Sequence, residues 1–213
     1  MDGAELSPDL MLHAYANGVF PMADGADLDD LFWIDPKRRG VFPLDRFRLS
    51  RSTARHMRKA QPIGTINSDF SGVVQHCANR SETWINAPLH QIYQDLNRAG
   101  FAHSVEVWED GELAGAVFGL SLGAAFFGES MVSLRTNGSK MALTFLVDHL
   151  RRNGFTLFDT QFITDHLASL GAVEISRASY RSQLAVAIDL DRDFLGSKIA
   201  DYGAVLHRMT QTS

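Results

Sequence analysis

The spacing of apolar and polar positions changes several times along the chain, and these changes predict alternating helices and strands. Ser7 as N-cap and Pro8 at the first helical position predict an opening helix that ends near Gly18. Residues 104–108 alternate in the manner of a strand, and Asp110-Gly111 predicts a tight hairpin. The return strand is expected at 113–120, and further strands at 32–34, 124–133, 155–162, 173–175 and 184–190.

Capping residues mark the starts of the other helices. Ser50, Asp69, Asn86 with Pro88, and Asn137 or Ser139 each precede a stretch typical of a helix. Shorter helices are expected at 164–170 and 178–182, extended chain at 19–22, and an acidic loop at 23–30. The pattern predicts an α+β fold in which a small basic N-terminal domain, 1–60, precedes an acyltransferase-like domain, 61–213, with a mixed, mostly antiparallel sheet. Helices on the faces of such a sheet are typical of the GCN5-related N-acyltransferase fold.

Composition supports a folded protein in a reducing compartment. The chain has 213 residues, 45% of them hydrophobic, which is enough to bury a substantial core. Cys77 is the single cysteine, so an internal disulfide is excluded. The first residues are acidic and lack the pattern of a signal peptide, and no apolar run reaches the length of a membrane helix. We therefore expect a cytoplasmic protein.

Basic residues are concentrated in one segment of an acidic chain. The net charge is −5, yet residues 36–60 carry nine basic residues and one acidic residue, a net +8 that leaves −13 for the rest. Such a segment indicates either a site for a polyanion such as nucleic acid, or a solvated helix face or subunit contact. The basic residues considered for nucleic-acid binding are Lys37, Arg38, Arg39, Arg48, Arg51, Arg55, Arg58 and Lys59.

Two apolar segments contain polar groups that are costly to bury unless they are paired or used. Glu129 follows Gly128 at the end of an apolar run, and Asp159 and Gln161 stand two apart in another. Regular strand alternation would put Asp159 and Gln161 on one face, where they could orient an amine or relay its proton. The alternative is that Asp159 caps the next helix or closes a turn.

The apolar residues around Gly128 suggest a pocket for an apolar side chain, or simply part of the core. Strand alternation places Phe126 and Glu129 on opposite faces, so a shared pocket requires a bulge at Gly128. Residues 135–140 half-match a loop that binds the pyrophosphate of coenzyme A, but Lys140 would crowd it. The eight histidines show no metal-binding spacing, so no metal site is expected. We expect no other cofactor.

With these motifs taken together, the sequence resembles the leucyl/phenylalanyl-tRNA–protein transferases. The matching segments keep the same order over nearly the whole chain: Tyr15-Ala-Asn-Gly-Val-Phe-Pro-Met22, Trp33-Ile-Asp-Pro36, Leu49-Ser-Arg-Ser52, Thr83-Trp-Ile85, Ala102-His-Ser-Val-Glu-Val-Trp108, Gly128-Glu-Ser-Met131, Asn137-x-Ser-Lys140, Asp159-x-Gln161 and His166-Leu-Ala-Ser-Leu-Gly-Ala172. The resemblance implies transfer of Leu or Phe from aminoacyl-tRNA to the α-amino group of proteins that begin with Arg or Lys. It also implies that the acceptor is thereby marked for N-degron proteolysis.

The resemblance also implies roles for individual residues. Asp159 would orient Gln161, Gln161 would position and deprotonate the amine, and Glu129 would hold the positively charged acceptor. Trp33 would stack near the terminal adenosine of the tRNA. The residues implied to bind the substrate or shape the donor pocket are Trp33, Trp84, Tyr93, Val117, Phe126, Gly128, Met131 and Leu146.

Several departures from the family pattern bear on substrate choice. Phe32-Trp33 stands where two tryptophans are common, and Val132 where Phe is common. Val117 and Leu146 replace larger side chains, which leaves the preference for Leu or Phe open. Two alternatives also stay open: a coenzyme A-dependent N-acyltransferase, and a tRNA-binding or peptide-binding module without catalysis.

Overall fold

The computed structural model describes residues 6–23, 31–80 and 83–211. The helices are α1 (Pro8–Ala16), α2 (Arg51–Ala60), α3 (Phe70–Ala78), α4 (Ala87–Arg98), α5 (Gly138–Arg152), α6 (Asp165–Ser169), α7 (Arg177–Ile188) and α8 (Tyr202–Gln211). The strands are β1 (Phe20–Ala23), β2 (Leu31–Ile34), β3 (Arg38–Phe42), β4 (Ile63–Ile66), β5 (Ala102–Glu109), β6 (Glu112–Leu122), β7 (Ala125–Ser133), β8 (Leu157–Gln161) and β9 (Val173–Ser176).

A seven-stranded mixed sheet organises the fold. Its order is β4-β5-β6-β7-β8-β3-β9, while β1 and β2 form a separate two-stranded ribbon. All neighbours in the large sheet are antiparallel except β7 and β8, which run parallel. The expectation of a mixed, mostly antiparallel sheet is confirmed.

Apolar side chains on the two faces of the sheet form two cores. One core buries residues of α1, α3, α4 and α7 together with Phe127, and the other buries residues of α2, α5, α6 and α8 together with Phe126. Consecutive residues of β7 thus enter opposite cores, as strand alternation requires. Helices therefore cover both faces, and polar groups on these strands are deeply buried.

Most predicted elements are observed, but the C-terminal part differs. Residues 184–190 were expected to form a strand, and this is wrong because α7 runs through Ile188. The apolar residues Leu184, Val186 and Ile188 suggest alternation, yet the buried positions are Tyr180, Leu184 and Ala187, which follow helical spacing. Strands β3 and β4 and helix α8 were not predicted, and most of the expected acidic loop lies outside the described residues.

The segment before residue 60 contributes directly to the main sheet. Strand β3 lies between β8 and β9, with Val41 paired to both Asp159 and Val173. The boundary near residue 60 stays a prediction, and β3 shows that the two parts share one sheet. Among the described residues, no helix has the length and apolar character needed to cross a membrane.

Candidate active site

An opening between β7 and β8 forms the centre of the site. Their pairing ends at Phe127 and Asp159, although β7 continues to Ser133 and β8 to Gln161. A cavity of about 80 Å³ occupies the space where the two strands separate. Its lining residues are Val117, Gly128, Glu129, Ser130, Met131, Leu143, Phe158, Thr160 and Leu167.

A bulge in β7 sets the direction of the residues at this opening. Gly128 pairs with Gly119 and Ser130 with Phe118, so Glu129 is the extra residue. The bulge that a shared pocket would require is present, with Glu129 rather than Gly128 as its unpaired position. Because the bulge adds one residue to β7, Met131 faces the same core as Phe126. Glu129 contacts tyrosines of the opposite core. Phe126 and Glu129 therefore do not line one surface.

The carboxylate of Glu129 is held by neutral donors. Oε1 accepts hydrogen bonds from the Tyr15 hydroxyl at 2.7 Å and from Nε2 of Gln161 at 3.1 Å. Oε2 accepts one from the Tyr93 hydroxyl at 2.8 Å. Glu129 is 7% exposed, and no cation lies among its described hydrogen-bond or ion-pair partners. Its negative charge is thus solvated by three side chains but not neutralised.

Burial changes the protonation behaviour of this cluster. It raises the pKa of Glu129 to about 7, against the opposing effect of the hydrogen bonds from Tyr15, Tyr93 and Gln161. Burial, followed by the charge of Glu129, raises the pKa of both tyrosines well above the usual value. The tyrosines therefore stay protonated as donors, while Glu129 changes charge near neutral pH.

Asp159 lies in a separate, neutralised arrangement. Nε and Nη2 of Arg39 donate to Asp159 Oδ1 and Oδ2 at 2.9 and 2.6 Å, and the Tyr180 hydroxyl donates to Oδ2 at 2.7 Å. Both ionised side chains are at most 2% exposed. Burial lowers the pKa of Arg39, but the hydrogen bonds and charge of Asp159 outweigh it and raise the pKa above its ordinary value. A bidentate pair of this kind fixes orientation as well as charge.

Gln161 ends β8 in a conformation that strand alternation does not predict. Its φ is 61°, in the left-handed region, and its backbone N–H donates to Oδ1 of Asp159 at 2.8 Å. Its side-chain amide donates to Glu129. Asp159 thus orients the backbone of Gln161, and Gln161 turns its side chain toward Glu129.

The predicted substrate-binding residues fall into three groups. Val117, Gly128 and Met131 line the cavity, and Tyr93 reaches it through its hydrogen bond to Glu129. Phe126 and Leu146 are fully buried behind the lining, where Phe126 packs edge-on against Phe158 at 5.7 Å. Half-buried Trp84 packs against Tyr93 at 6.3 Å, and half-buried Trp33 lies on β2.

The basic residues are exposed with one exception. Lys37, Arg38, Arg48 and the basic positions of α2, which are Arg51, Arg55, Arg58 and Lys59, are exposed. Arg39 is only 1% exposed. The expectation that Arg39 binds nucleic acid is therefore wrong, because a buried guanidinium paired with Asp159 is closed off from an outside phosphate.

The loop that half-matches a pyrophosphate cradle is occupied by the protein itself. The N–H of Ser139, at the start of α5, donates to Oγ of Ser133 at 3.2 Å. A Cβ on Gly138 would lie 1.9 Å from the carbonyl oxygen of Ala114, so the backbone of this turn packs directly on β6. These contacts favour a packing role for the turn.

Sequence reasoning missed part of the site. Tyr15 and Tyr180 were not proposed as site residues, and neither were the lining residues Ser130, Leu143, Phe158, Thr160 and Leu167. Tyr15 stands in a segment that carries the family resemblance, which could have marked it. Tyr180 lies in a helix whose sequence has no comparable signal.

Comparison with known proteins agrees with the resemblance. Residues 41–185 match the family model described as leucyl/phenylalanyl-tRNA protein transferase, and residues 4–37 match the model of its N-terminal domain. A protein of Ruegeria sp. (strain TM1040) named leucyl/phenylalanyl-tRNA–protein transferase is 57% identical over 98% of this chain and 99% of its own length. A protein of the same name from Jannaschia sp. (strain CCS1) is 58% identical over 89% of this chain and 90% of its own.

A solved structure is also similar in fold. The crystal structure of FemX matches with a TM-score of 0.53 at 13% identity, over 79% of this chain and 66% of FemX. This likeness concerns the fold alone. The sequence matches cover both the N-terminal segment and the site strands. The chain belongs to the leucyl/phenylalanyl-tRNA–protein transferase family.

Proposed function

We propose that this enzyme transfers Leu or Phe from aminoacyl-tRNA to the α-amino group of proteins that begin with Arg or Lys, which marks them for N-degron proteolysis. Family membership supports the aminoacyl-tRNA donor and the protein acceptor. The single observation that carries the proposal is the hydrogen bond between Gln161 and Glu129 beside the cavity. It puts an amide and an uncompensated carboxylate at a pocket with apolar walls.

The walls of the cavity support an apolar donor side chain. Val117, Met131, Leu143, Phe158 and Leu167 supply most of its lining. Burying a Leu or Phe side chain among such groups contributes roughly 1.5–3 kcal/mol. Methionine adapts its shape to different occupants, which suits a pocket that takes either donor.

The charge distribution supports a cationic acceptor. Arg39 neutralises Asp159, whereas the partners of Glu129 are neutral. A cation that enters the site can therefore pair with Glu129, because no other cation is among the described partners of that carboxylate. Binding of the acceptor's ammonium or basic side chain lowers the pKa of Glu129 and favours its ionised form.

The chemistry is aminolysis of an ester. The neutral amine attacks the ester carbonyl carbon, a C–N bond forms, and the C–O bond to the ribose breaks. The nitrogen loses one proton and the ribose oxygen gains one. Gln161 donates through its amide nitrogen to Glu129, and among the described residues its carbonyl oxygen has no hydrogen-bond partner. That oxygen is available to accept from the attacking amine, which orients the amine toward the carbonyl.

Two broader parts of the proposal concern the fold and the tRNA. A GCN5-related N-acyltransferase-like fold is supported by the parallel β7–β8 pair that opens at its C-terminal end. Exposed basic residues of α2, with Lys37, Arg38 and Arg48, supply a surface for tRNA phosphates. We place the enzyme in the cytoplasm with its aminoacyl-tRNA donor.

A transfer assay tests the proposal. Purified enzyme, labelled Leu-tRNA or Phe-tRNA and a peptide beginning with Arg or Lys are combined without ATP or acetyl-CoA. We expect label on the peptide's N-terminal residue, and none on the same peptide with an acetylated N-terminus. Failure with every basic N-terminal peptide and both donors would overturn the assignment.

A further inference from the structure

The geometry points to a role for two residues that lie behind the reacting groups. We propose that Arg39 and Tyr180 are positioning residues that hold Asp159, and through it Gln161, in the arrangement used for aminoacyl transfer. Arg39 lies on β3 and Tyr180 on α7, whereas the cavity is lined by β6, β7, β8, α5 and α6. The inference rests on the proposed function, because it concerns the rate of that same reaction.

The guanidinium of Arg39 is fixed on every side. Besides its three hydrogen bonds to Asp159, its Nη2 donates to the Tyr180 hydroxyl at 3.3 Å and its Nη1 to the carbonyl oxygen of Gly18 at 3.0 Å. Its Cζ lies 4.5 Å from the ring centres of both Phe20 and Tyr180. A buried cation is costly unless its pairing geometry is nearly ideal. The arrangement around Arg39 meets that condition and leaves Asp159 one orientation.

Asp159, held in this orientation, in turn fixes the backbone of Gln161. Its Oδ2 accepts from Arg39 and Tyr180, and its Oδ1 accepts from Arg39 and from the backbone N–H of Gln161. A left-handed conformation in a residue other than glycine costs about 1–3 kcal/mol and persists only where its surroundings hold it. The bond to Oδ1 is the contact that holds Gln161 in this conformation, with its side chain turned toward Glu129.

Arg39 also acts on the other half of the site. Gly18, whose carbonyl it binds, lies two residues after the end of α1, and Tyr15 in the last turn of α1 donates to Glu129. One guanidinium thus anchors both the loop that ends this helix and the strand that carries Asp159. Its loss should disturb Gln161 and Glu129 together. Loss of the Tyr180 hydroxyl should act mainly through Asp159, because this hydroxyl donates to Asp159 at 2.7 Å and accepts only a longer hydrogen bond from Nη2 of Arg39 at 3.3 Å.

A double-mutant cycle tests the Tyr180 part. Tyr180→Phe removes the hydroxyl and keeps the ring against Arg39. We expect kcat to fall about tenfold in the otherwise natural enzyme and less than about twofold in an Asp159→Asn background. Each kcat is calculated from the concentration of enzyme that is competent to bind tRNA, so that unfolded protein in a preparation does not lower it. The KM for either substrate should change less than about twofold.

Substitution of Arg39 adds an independent measurement. Arg39→Met should lower kcat about a hundredfold, and Arg39→Lys should recover part of this because an ammonium satisfies the charge but not the two-pronged geometry. Tyr202→Phe and Arg98→Lys are matched controls on α8 and the end of α4, and should keep the natural rate.

Two results would overturn the inference. One is a Tyr180→Phe enzyme with the natural kcat, and the other is an equal fold-loss in the Asp159→Asn background. If the Arg39 variants do not fold, the Tyr180 cycle decides alone. An inactive natural enzyme would instead contradict the proposed function, so the two failures are distinguishable.

Discussion

The side-chain amide of Gln161 donates to Oε1 of Glu129 at 3.1 Å across the opening between β7 and β8. Backbone pairing between these strands has already ended at Phe127 and Asp159. The two side chains therefore bridge strands that are no longer joined by their main chains. Anything that enters the cavity beside them meets a carboxylate and an amide whose positions depend on each other.

The raised pKa of Glu129 predicts a pH dependence near neutrality. Its pKa is about 7, above its ordinary value, so the acid form dominates below pH 7 and the anion above it. If the anion binds the acceptor, kcat/KM should increase as pH rises through about 7, because this parameter reports the free enzyme. The acceptor amine must also lose a proton, so the increase should be steeper than a single ionisation gives.

Two variants assign this pH dependence to Glu129. The hydrogen bond from Tyr93 lowers the pKa of Glu129, so Tyr93→Phe should move the rise in kcat/KM to higher pH. Glu129→Gln should leave only the single ionisation of the amine. A profile that is the same in the natural enzyme and both variants would contradict the assignment, and Tyr202→Phe should match the natural profile.

Replacement of Asp159 should separate catalysis from tRNA binding. Asp159→Ala removes the acceptor that holds the backbone of Gln161, and we expect kcat to fall about a hundredfold or more. It also leaves Arg39 buried without its counter-ion, which should cost roughly 3–5 kcal/mol of unfolding free energy. The Tm of the variant is measured first, and the assays are run well below it. Unchanged affinity for tRNA is expected, and an equal loss of binding and turnover would indicate a structural role only.

Local sequence marked the polar groups at the opening between β7 and β8 but not the partners that hold them. Glu129, Asp159 and Gln161 stand out because each is polar within an apolar run, where burial has a known cost. Arg39 is one of nine basic residues in its segment, and nothing local distinguishes it from those that face solvent. Its role depends on β3 pairing with β8, a contact between residues 120 apart in sequence. Pairing at such a distance is set by the whole sheet.

The same limit explains the differences in secondary structure. The Asp110-Gly111 hairpin and the capped helices are local features and were predicted. Helix α7 was misassigned from Leu184 onward because apolar residues at two-residue spacing suggest a strand. Only contact with the core shows that Val186 is 63% exposed and that Tyr180 and Leu184 form the buried face.

Charge reversal on α2 should weaken tRNA binding. Arg51 and Arg55 are exposed one turn apart on this helix. Arg51→Glu and Arg55→Glu should each lower affinity and reduce the slope of log K against log salt by about one. The matched control is Arg98→Glu, an exposed reversal at the end of α4. A salt slope equal to that of the natural enzyme would show that α2 does not contact the tRNA.

Close packing of α5 on β6 predicts a position that cannot accept a methyl group. A Cβ on Gly138 would lie 1.9 Å from the carbonyl oxygen of Ala114, which is backbone and cannot rotate away. Gly138→Ala should therefore lower the unfolding free energy by about 1–3 kcal/mol, measured by denaturant titration. Gly203→Ala, at an exposed position of α8, is the control and should not lower the unfolding free energy. Equal stability of both variants would contradict the tight contact.

Enlarging a wall of the cavity should change the choice of donor. Val117 is 3% exposed and lines the cavity together with Met131 and Phe158, so Val117→Met enlarges a side chain of the wall and removes space from the pocket. The larger Phe donor should lose more than Leu, and the Leu-to-Phe ratio of kcat/KM should rise about tenfold, within the range that small volume changes in apolar pockets produce. Competition between the two charged tRNAs in one reaction measures the ratio directly. Val186→Met, at an exposed position of α7, makes the same exchange away from the cavity and should leave the ratio unchanged. If both variants keep the natural ratio, the donor side chain binds elsewhere.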